Sequence, residues 1–254
     1  MSPKGPIMEE SEKQSEVWRF FDKVYCISLR RRADRRRSAR RQFDRVGLSE
    51  RVEFVLVDAH PEDCEKGIFE SHLHCLRKGC EAGARTIAVF EDDVVFDRFS
   101  PRRLQAGVDH MAGKADGWML FFGCLVSSSR PTECRWLRRV RYRSLAHGYA
   151  VSGSCAQRLS QRSWTRVPFD TMLSTADCRQ YAICPSFAFQ SNSRSDNDRH
   201  RMLTLFRQLI GGLGFIQRMN EYYHCHRPAI IILHLAAIAG ILLALLAGWG
   251  EGRP

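Results

Sequence analysis

The chain has 254 residues, of which 44% are hydrophobic and 26% are charged. These fractions are close to those of globular proteins and exclude a wholly disordered chain, and the length suffices for one large domain or two small ones. Thirty-nine Lys and Arg side chains against 28 Asp and Glu give a formal net charge of +11. A chain this basic favours anionic partners, which are nucleic acid, anionic lipid or a phosphorylated substrate.

From residue 23 onward, short β-branched runs alternate with helical patterns. Strands are predicted over 24–29, 52–57, 86–90, 118–122, 148–152 and 181–184. Helices are predicted over 34–46, 68–82, 101–111 and 154–161. Strands that alternate with helices favour a mostly parallel sheet with helices on both faces, and such sheets bind ligands beyond the carboxyl ends of their strands.

The ten cysteines are scattered and never spaced as Cys-x-x-Cys. A chain with its own core does not need a disulfide framework, so we expect mostly reduced and buried thiols. Two His/Cys clusters, at 72–80 and 224–226, lack the second half of a tetrahedral zinc site. The sequence therefore predicts no structural zinc.

The C-terminal segment 228–249 contains no Asp, Glu, Lys or Arg. About 20 apolar residues are needed to span a bilayer as a helix, so this length predicts a transmembrane helix. A buried core helix is the alternative, although core helices usually carry a polar stripe. Arginines precede the segment, and the positive-inside rule then places the soluble domain in the cytoplasm.

Segment 199–227 mixes arginines with large apolar side chains. That composition suits a basic amphipathic helix lying on an anionic membrane surface. The alternative is the last core helix of the domain. The two interpretations stay open at the level of sequence.

Three consecutive carboxylates, Glu91, Asp92 and Asp93, follow the third predicted strand. Adjacent carboxylates repel one another at the exit of a buried strand, and a divalent cation with oxygen ligands relieves that repulsion. Mg²⁺ or Mn²⁺ shared with a substrate diphosphate is the expected occupant. The alternative is a solvated acidic loop.

A run of arginines between residues 30 and 45 follows the first strand. Arg31, Arg32 and Arg35 lie at or near the carboxyl end of that strand, where guanidinium groups suit phosphate. The later arginines are expected to be solvated or to face acidic lipid. No helix-turn-helix, zinc finger or aromatic RNA-binding motif accompanies them, so no nucleic-acid partner is expected. Glycine-rich dinucleotide and phosphate loops are also missing from the sequence, as are the zinc-protease and esterase motifs.

Short motifs follow one another in order between residues 23 and 197. They are Val24 to Arg36, Val57-Asp58-Ala59, Ser71-His72, Val89 to Val94, Gly123-Cys124, His147 to Ser152, Pro168-Phe169-Asp170, and Pro185 with Phe189-Gln190. Together they resemble glycosyltransferase family 25, which includes bacterial lipooligosaccharide galactosyltransferases. The chain departs from the family in an arginine-rich loop over 127–143. Family members differ most in the acceptor-binding part, so the resemblance does not fix the acceptor.

The resemblance implies an α/β domain of the GT-A type with a mixed, mostly parallel sheet, a UDP-sugar donor and Mn²⁺ or Mg²⁺. By this resemblance Asp93 and Glu91 bind the metal. The donor-binding residues that it implies are Ser28, Leu29, Arg32, Arg35, Asp58, Ser71, His72, Asp92 and Gln190. His72 has the alternative role of a structural histidine.

Asp170 takes the family's Pro-x-Asp position, and the resemblance implies that it is the general base. Its alternative is a helix cap, because Pro168-Phe169-Asp170 also reads as the start of a helix. A base on the acceptor hydroxyl and neutralisation of the departing diphosphate are what sugar transfer requires.

The predicted organisation is a tail over 1–22, a GT-A-like domain over 23–198, a basic juxtamembrane segment over 199–227, a transmembrane helix over 228–249 and a short tail over 250–254. The predicted function is transfer of a sugar, galactose by the resemblance, to a cell-envelope glycolipid such as lipopolysaccharide. The protein would be a single-pass inner-membrane protein with a cytoplasmic catalytic domain. The alternatives are an inactive relative, a membrane-tethered adaptor that binds anionic lipid or nucleic acid, and a phosphoryl-transfer enzyme, which would want a second acidic cluster.

Overall fold

The structure is a computed structural model that describes residues 14–114, 117–191 and 211–251. The strands are β1 (Lys23–Leu29), β2 (Val52–Val57), β3 (Thr86–Glu91), β4 (Val94–Phe96), β5 (Trp118–Phe121), β6 (Leu125–Pro131), β7 (Leu137–Ser144), β8 (Gly148–Ser152), β9 (Arg179–Ile183) and β10 (Ala188–Gln190). The helices are α1 (Ala33–Arg45), α2 (Cys64–Glu81), α3 (Pro101–Ala112), α4 (Gly153–Ser160), α5 (Phe169–Ser174) and α6 (Gly212–Glu251). Short 3-10 helices cover Val17–Phe20 and Ser49–Arg51.

Eight strands form one mixed sheet in the order β2-β1-β3-β8-β5-β9-β7-β6, and β10 pairs with β4 in a second small sheet. Parallel pairing is confined to β2-β1-β3 and to β5-β9, while β8, β7 and β6 pair antiparallel with their neighbours. The predicted α/β fold with a mixed sheet is confirmed, but the parallel share is smaller than expected. Periodicity marks a strand without revealing its direction, which is decided by partners distant in the chain.

The sheet separates two apolar cores, as expected for helices on both faces. One core contains Phe43 of α1 with Leu104 and Val108 of α3. The other contains Leu73 of α2 with Leu173 of α5. Helices α1 to α4 each bury one apolar stripe and leave their polar face to solvent.

The arginine-rich segment 127–143 is not a loop, as the sequence predicted, but most of the β6–β7 hairpin. The sequence did not predict the β7 strand, because arginines occupy its exposed positions and only Leu137 and Tyr142 are buried. An exposed arginine weakens the apolar alternation that identifies a strand. The prediction of a loop here is therefore wrong.

The core begins before residue 23, inside the segment 1–22 predicted to be a tail. Trp18 and Phe21 have no exposed surface. The indole Nε1 of Trp18 donates to the carbonyl of Val46 at 2.8 Å, and its ring stacks on Phe99 with 5.5 Å between centroids. A short aromatic segment of this kind has no periodicity from which the sequence could have indicated burial. Residues 1–13 lie outside the described part of the chain.

Cys155 and Cys178 are joined by a disulfide, and no second disulfide is present in the described part of the chain, so the expectation of mostly reduced cysteines holds. The pair is separated by 23 positions in the sequence. Cys155 lies in α4, and Cys178 directly precedes β9. Tertiary packing brings the Cα atoms of the two residues to 6.3 Å from each other.

The predicted boundary at residue 228 falls inside one continuous helix, α6, which contains Pro228. The first turns of α6 pack on the domain. Asn220 donates to and accepts from the backbone of Val126, and Glu221 accepts from the amide of Ser186 at 3.0 Å. The domain-packing alternative thus describes the segment from Gly212 to Cys225, while residues 199–210 and 252–254 lie outside the described residues.

Beyond Cys225 the helix leaves the domain, and its apolar side chains are exposed, with Leu233 at 68% and Ile232 at 65%. The stretch Gly212–Leu243 is long and apolar enough to cross a membrane, and its most apolar part is not buried by the domain. The domain therefore does not cover this apolar surface.

Replacing Trp18 tests whether the domain begins before residue 23. Trp18→Ala should lower the free energy of unfolding by about 3–5 kcal/mol, because it empties a site within an aromatic core. Arg19→Ala, next to it and exposed, should change that energy by no more than about 0.5 kcal/mol. Urea unfolding of the detergent-solubilised chain measures both, and equal small effects would show that the segment is not part of the core.

Candidate active site

A cavity of about 510 Å³ opens at the carboxyl ends of β1, β2 and β3. Because these strands are parallel, their ends meet at the same edge of the sheet. Leu29, Val57 and Glu91 are the last residues of the three strands, and all three line the cavity. This is the place where open α/β sheets bind their ligands, and we call it the cleft.

The fold brings nearly all of the predicted site residues to the cleft. Those that line it are Ser28, Leu29, Arg35, Asp58, Ser71, His72, Glu91, Asp92, Asp93, Asp170 and Gln190. Arg32 does not line it, since its guanidinium binds the Asp34 carboxylate through two contacts of 3.0 Å. This contact lowers the pKa of Asp34 to about 2. Arg31, which the sequence also placed at the carboxyl end of β1, does line the cleft.

Two of the three consecutive carboxylates share one arginine. The guanidinium of Arg35 lies 3.2 Å from Asp92 Oδ1 and 3.6 Å from Asp93 Oδ2. Ser28 Oγ donates to Asp92 Oδ2 at 2.6 Å, and Gln190 Nε2 donates to Asp93 Oδ2 at 3.0 Å. Burial raises the pKa of both aspartates, and Arg35 opposes that rise by favouring their charged forms. The alternative of a solvated acidic loop is wrong for these two residues, because each side chain is about 95% buried.

Asp93 has one oxygen to spare. Its Oδ1 is buried and accepts no hydrogen bond from the described residues. A buried acceptor without a partner is costly, and a cation or a ligand donor would satisfy it. Within the described residues no group of three or more His, Cys, Asp or Glu side chains is arranged as a metal site. The open oxygen of Asp93 would suit a cation held by one or two carboxylates and completed by phosphate oxygens, as is usual for Mg²⁺.

His72 is held on three sides. Its Nδ1 lies 3.2 Å from Tyr149 Oη, its Nε2 lies 3.3 Å from Glu91 Oε1, and its ring stacks on Phe169 at 4.1 Å. Burial lowers the pKa of His72 to about 4 and raises the pKa of Glu91 to about 7. His72 is therefore neutral at pH 7, and its contact with Glu91 is a hydrogen bond rather than an ion pair. Both ring nitrogens have protein partners, as the structural interpretation of this histidine expects.

Asp170 lies in the first turn of α5, but its side chain does not cap that helix. Its Oδ1 accepts from the hydroxyl of Tyr142, and its Oδ2 accepts from the amide of Leu145 at 3.1 Å. Leu145 has a φ of +75°, which is rare for a residue with a side chain. The hydrogen bond from its amide thus helps to hold a turn at the edge of the cleft. The helix-cap alternative is wrong, and Asp170 is oriented by two donors.

His147 is a site residue to which sequence reasoning gave no role. It is 1% exposed, it lines the cleft, and neither ring nitrogen has a hydrogen-bond partner among the described residues. Buried polar groups in folded proteins are nearly always paired, so this ring is placed to meet a ligand or a water molecule. Its place at the start of the motif His147 to Ser152 was the only signal in the sequence, and a motif does not show which way a side chain points.

No family model matches the chain, and no curated protein matches it. Several solved structures are similar at a low level, including the following three. A197 from STIV has 10% identity and a TM-score of 0.42, over 66% of this chain and 85% of that one. The mannose-1-phosphate geranyltransferase from Thermus thermophilus has 11% identity and a TM-score of 0.42, over 65% and 73%. A glycosyltransferase involved in glycosylation of the major capsid of PBCV-1 has 9% identity and a TM-score of 0.38, over 63% of this chain and 81% of that one. Identities and TM-scores this low do not indicate which reaction the chain catalyses.

The His72–Glu91 contact predicts opposite pH dependences in two variants. In Glu91→Gln, His72 remains neutral when folded but is protonated when unfolded, so stability falls as pH drops from 6.5 towards 4, by about 1.4 kcal/mol per pH unit. In His72→Gln, Glu91 stays protonated when folded but ionises when unfolded, so stability falls as pH rises from 4.5 towards 7. Urea unfolding across pH 4–7.5 measures both slopes. His74→Gln, exposed on the same helix, should leave the pH profile unchanged, and slopes of equal sign in the two variants would refute the assignment.

Proposed function

We propose that this protein is a membrane-anchored glycosyltransferase that binds a nucleoside diphosphate sugar in the cleft and transfers the sugar to a hydroxyl group of a glycolipid. The observation that carries this proposal is the buried Asp92–Arg35–Asp93 arrangement at the ends of three parallel strands. It leaves Asp93 Oδ1 unpartnered in a cavity large enough for such a donor. An adaptor would have no need of an acidic pair buried at this cost.

The donor diphosphate would lie between the arginines and a cation. Arg31 and Arg35 line the cleft beside the end of β1. The Arg31 guanidinium would bind phosphate through paired hydrogen bonds, and Arg35, which already contacts Asp92 and Asp93, would add positive charge beside it. Asp93, with Glu91 beside it, would hold Mn²⁺ or Mg²⁺. When bound, that ion would neutralise charge on the departing nucleoside diphosphate. This arrangement needs no glycine-rich phosphate loop, in agreement with the sequence.

The other predicted donor-binding residues differ in whether their side chains already have a hydrogen-bond partner within the protein. Asp58, at the end of β2, is 80% exposed at its side chain and lies 3.5 Å from Arg30, so it can reach a ribose or base. Ser71 already donates to the carbonyl of Gly67 at 2.6 Å. We therefore propose Asp58 and His147 as direct donor contacts, and Ser71 and His72 as residues that shape the wall of the cleft.

The chemistry requires an acceptor hydroxyl, a base and a leaving group. The hydroxyl oxygen forms a bond to the anomeric carbon, the bond from that carbon to the phosphate oxygen breaks, and its electron pair leaves with the nucleoside diphosphate. The hydroxyl proton passes to a carboxylate, for which we propose Asp170. Tyr142 and Leu145 hold this carboxylate in place, and each of its oxygens keeps a second lone pair for the acceptor.

Galactose as the sugar and lipopolysaccharide or lipooligosaccharide as the acceptor are the finer parts of this proposal, and they rest on the resemblance in sequence. The exposed apolar part of α6 supports a membrane anchor. The arginines that precede it favour a domain on the cytoplasmic side of an inner membrane. A tether of this kind raises the effective concentration of a lipid acceptor.

Asp93→Asn tests donor and metal use together. In the full chain in detergent with Mn²⁺, release of UDP from UDP-galactose should be abolished by chelator and fall about 100-fold or more in the variant. Asp109→Asn, an exposed aspartate on α3, should retain full activity. Thermal stabilisation by UDP with Mn²⁺ gives a second readout without turnover. Chelator-resistant release that survives in Asp93→Asn would contradict the proposal, and absence of both release and stabilisation would favour the adaptor.

His147→Leu tests whether the unpartnered imidazole meets the donor. The variant should bind UDP-galactose about tenfold more weakly, because one buried hydrogen bond is lost. Its thermal stability should stay equal or rise, since an unpaired polar group has been removed. Calorimetric titration of wild type, His147→Leu and the surface variant His110→Leu measures the affinities. Unchanged affinity in His147→Leu would show that water, not the donor, satisfies the ring.

A further inference from the structure

The β6–β7 hairpin runs alongside α6 towards the point where that helix leaves the domain. Asn220 is hydrogen-bonded to the backbone of Val126, near the start of β6, at 2.9 and 3.0 Å. One helical turn later, the carbonyl of His224 accepts from Arg138, near the start of β7, at 3.5 Å. Since Arg138 pairs with Pro131 at the far end of β6, the tip of the hairpin points in the same direction as the C-terminal part of α6.

Two further contacts show how far along α6 the hairpin tip extends. The amide of Cys184 donates to the carbonyl of Trp136 at 2.9 Å, and Cys184 Sγ lies 3.2 Å from Cys225 Sγ. Trp136 is thus level with Cys225, three residues before Pro228. From residue 226 to 243 nearly every side chain of α6 is exposed. The hairpin tip therefore lies at the base of the exposed apolar helix.

The tip carries an aromatic ring between cations. Arg135 lies 4.0 Å from the ring centre of Trp136, and Arg103 of α3 lies 5.0 Å from it. Tryptophan is enriched where a protein crosses from water into a membrane, and arginine is attracted to anionic headgroups. The turn carries one carboxylate, Glu133, which is outnumbered by these arginines.

Behind the tip the hairpin carries more uncompensated positive charge. Arg130 and Arg139 face each other directly across the two strands, and both are exposed. Like charges in this position destabilise a strand pair. No carboxylate lies within ion-pair distance of Arg130, Arg135 or Arg139 in the part of the chain that the structure describes. An anionic surface against the hairpin would offset this repulsion.

We propose that the hairpin tip docks on anionic phospholipid headgroups, as a second membrane contact beside α6. The inference rests on the proposed membrane anchor and is independent of the transferase reaction. α6 is attached to the domain through several side chains, so the two contacts together set the tilt of the domain against the bilayer. A membrane suits this surface better than nucleic acid does, because the cations adjoin an exposed apolar helix.

Hydrogen exchange of the full chain in nanodiscs tests the docking. Amides of residues 132–137 should exchange about fivefold or more slowly in phosphatidylcholine–phosphatidylglycerol nanodiscs than in phosphatidylcholine alone. The triple variant Arg130→Gln, Arg135→Gln, Arg139→Gln should lose this difference. A control triple on the exposed face of α1, Arg37→Gln, Arg41→Gln, Arg45→Gln, removes the same charge and should keep it.

Each other outcome has a definite meaning. Equal exchange in the two lipids, or equal loss in both triple variants, would overturn the docking while leaving the anchor intact. Failure of the chain to insert into nanodiscs would remove the anchor and the docking together. Stronger protection of residues 132–137 by a short oligonucleotide in phosphatidylcholine nanodiscs than by anionic lipid would overturn the choice of partner in favour of nucleic acid. None of these results depends on UDP-galactose turnover, so the transferase proposal stands or falls separately.

Discussion

Burial of two adjacent carboxylates is the constraint on which the candidate site depends. Asp92 and Asp93 follow β3 directly and have 6% and 5% of their side-chain surface exposed. Such a pair is tolerated only when a cation and hydrogen-bond donors compensate it. Arg35 supplies the cation from the first turns of α1, Ser28 supplies a donor from β1, and Gln190 supplies one from β10. The carboxylates therefore tie together elements from three parts of the chain, and the cleft is the space they leave open.

The same arrangement leaves buried polar groups in the cleft open to a ligand. Arg35 is occupied by both aspartates, but Asp93 Oδ1 and both nitrogens of His147 have no partner among the described residues. Buried polar groups left unpaired lower stability and are retained where a ligand completes them. Around them, His72, Tyr149 and Phe169 form a rigid neutral wall, which keeps Glu91 turned towards the cleft with 31% of its side chain exposed.

The packing of α6 on the domain depends on a second set of close contacts. Gln217 is fully buried and donates to the carbonyl of Ala188 at 2.9 Å. A Cβ at Gly123 would lie 1.8 Å from that carbonyl and 2.5 Å from Gln217 Nε2, so only glycine permits the approach. Ala188 begins β10, whose last residue, Gln190, binds Asp93. The packing of α6 and the geometry of the cleft therefore share one short strand.

Local signals in the sequence determined much of this protein. β-branched runs located β1, β2, β3 and β8, the absence of charge located the apolar part of α6, and the order of the motifs gathered most of the residues that line the cleft. Tertiary structure alone decided which strands pair antiparallel, that Trp18 belongs to the core, that the arginine-rich segment is a hairpin, and that Arg31 rather than Arg32 faces the cleft. It also left His147 without a partner among the described residues. These features depend on groups distant in the chain, and hydrophobic periodicity records only which side of an element is buried, not what it is buried against.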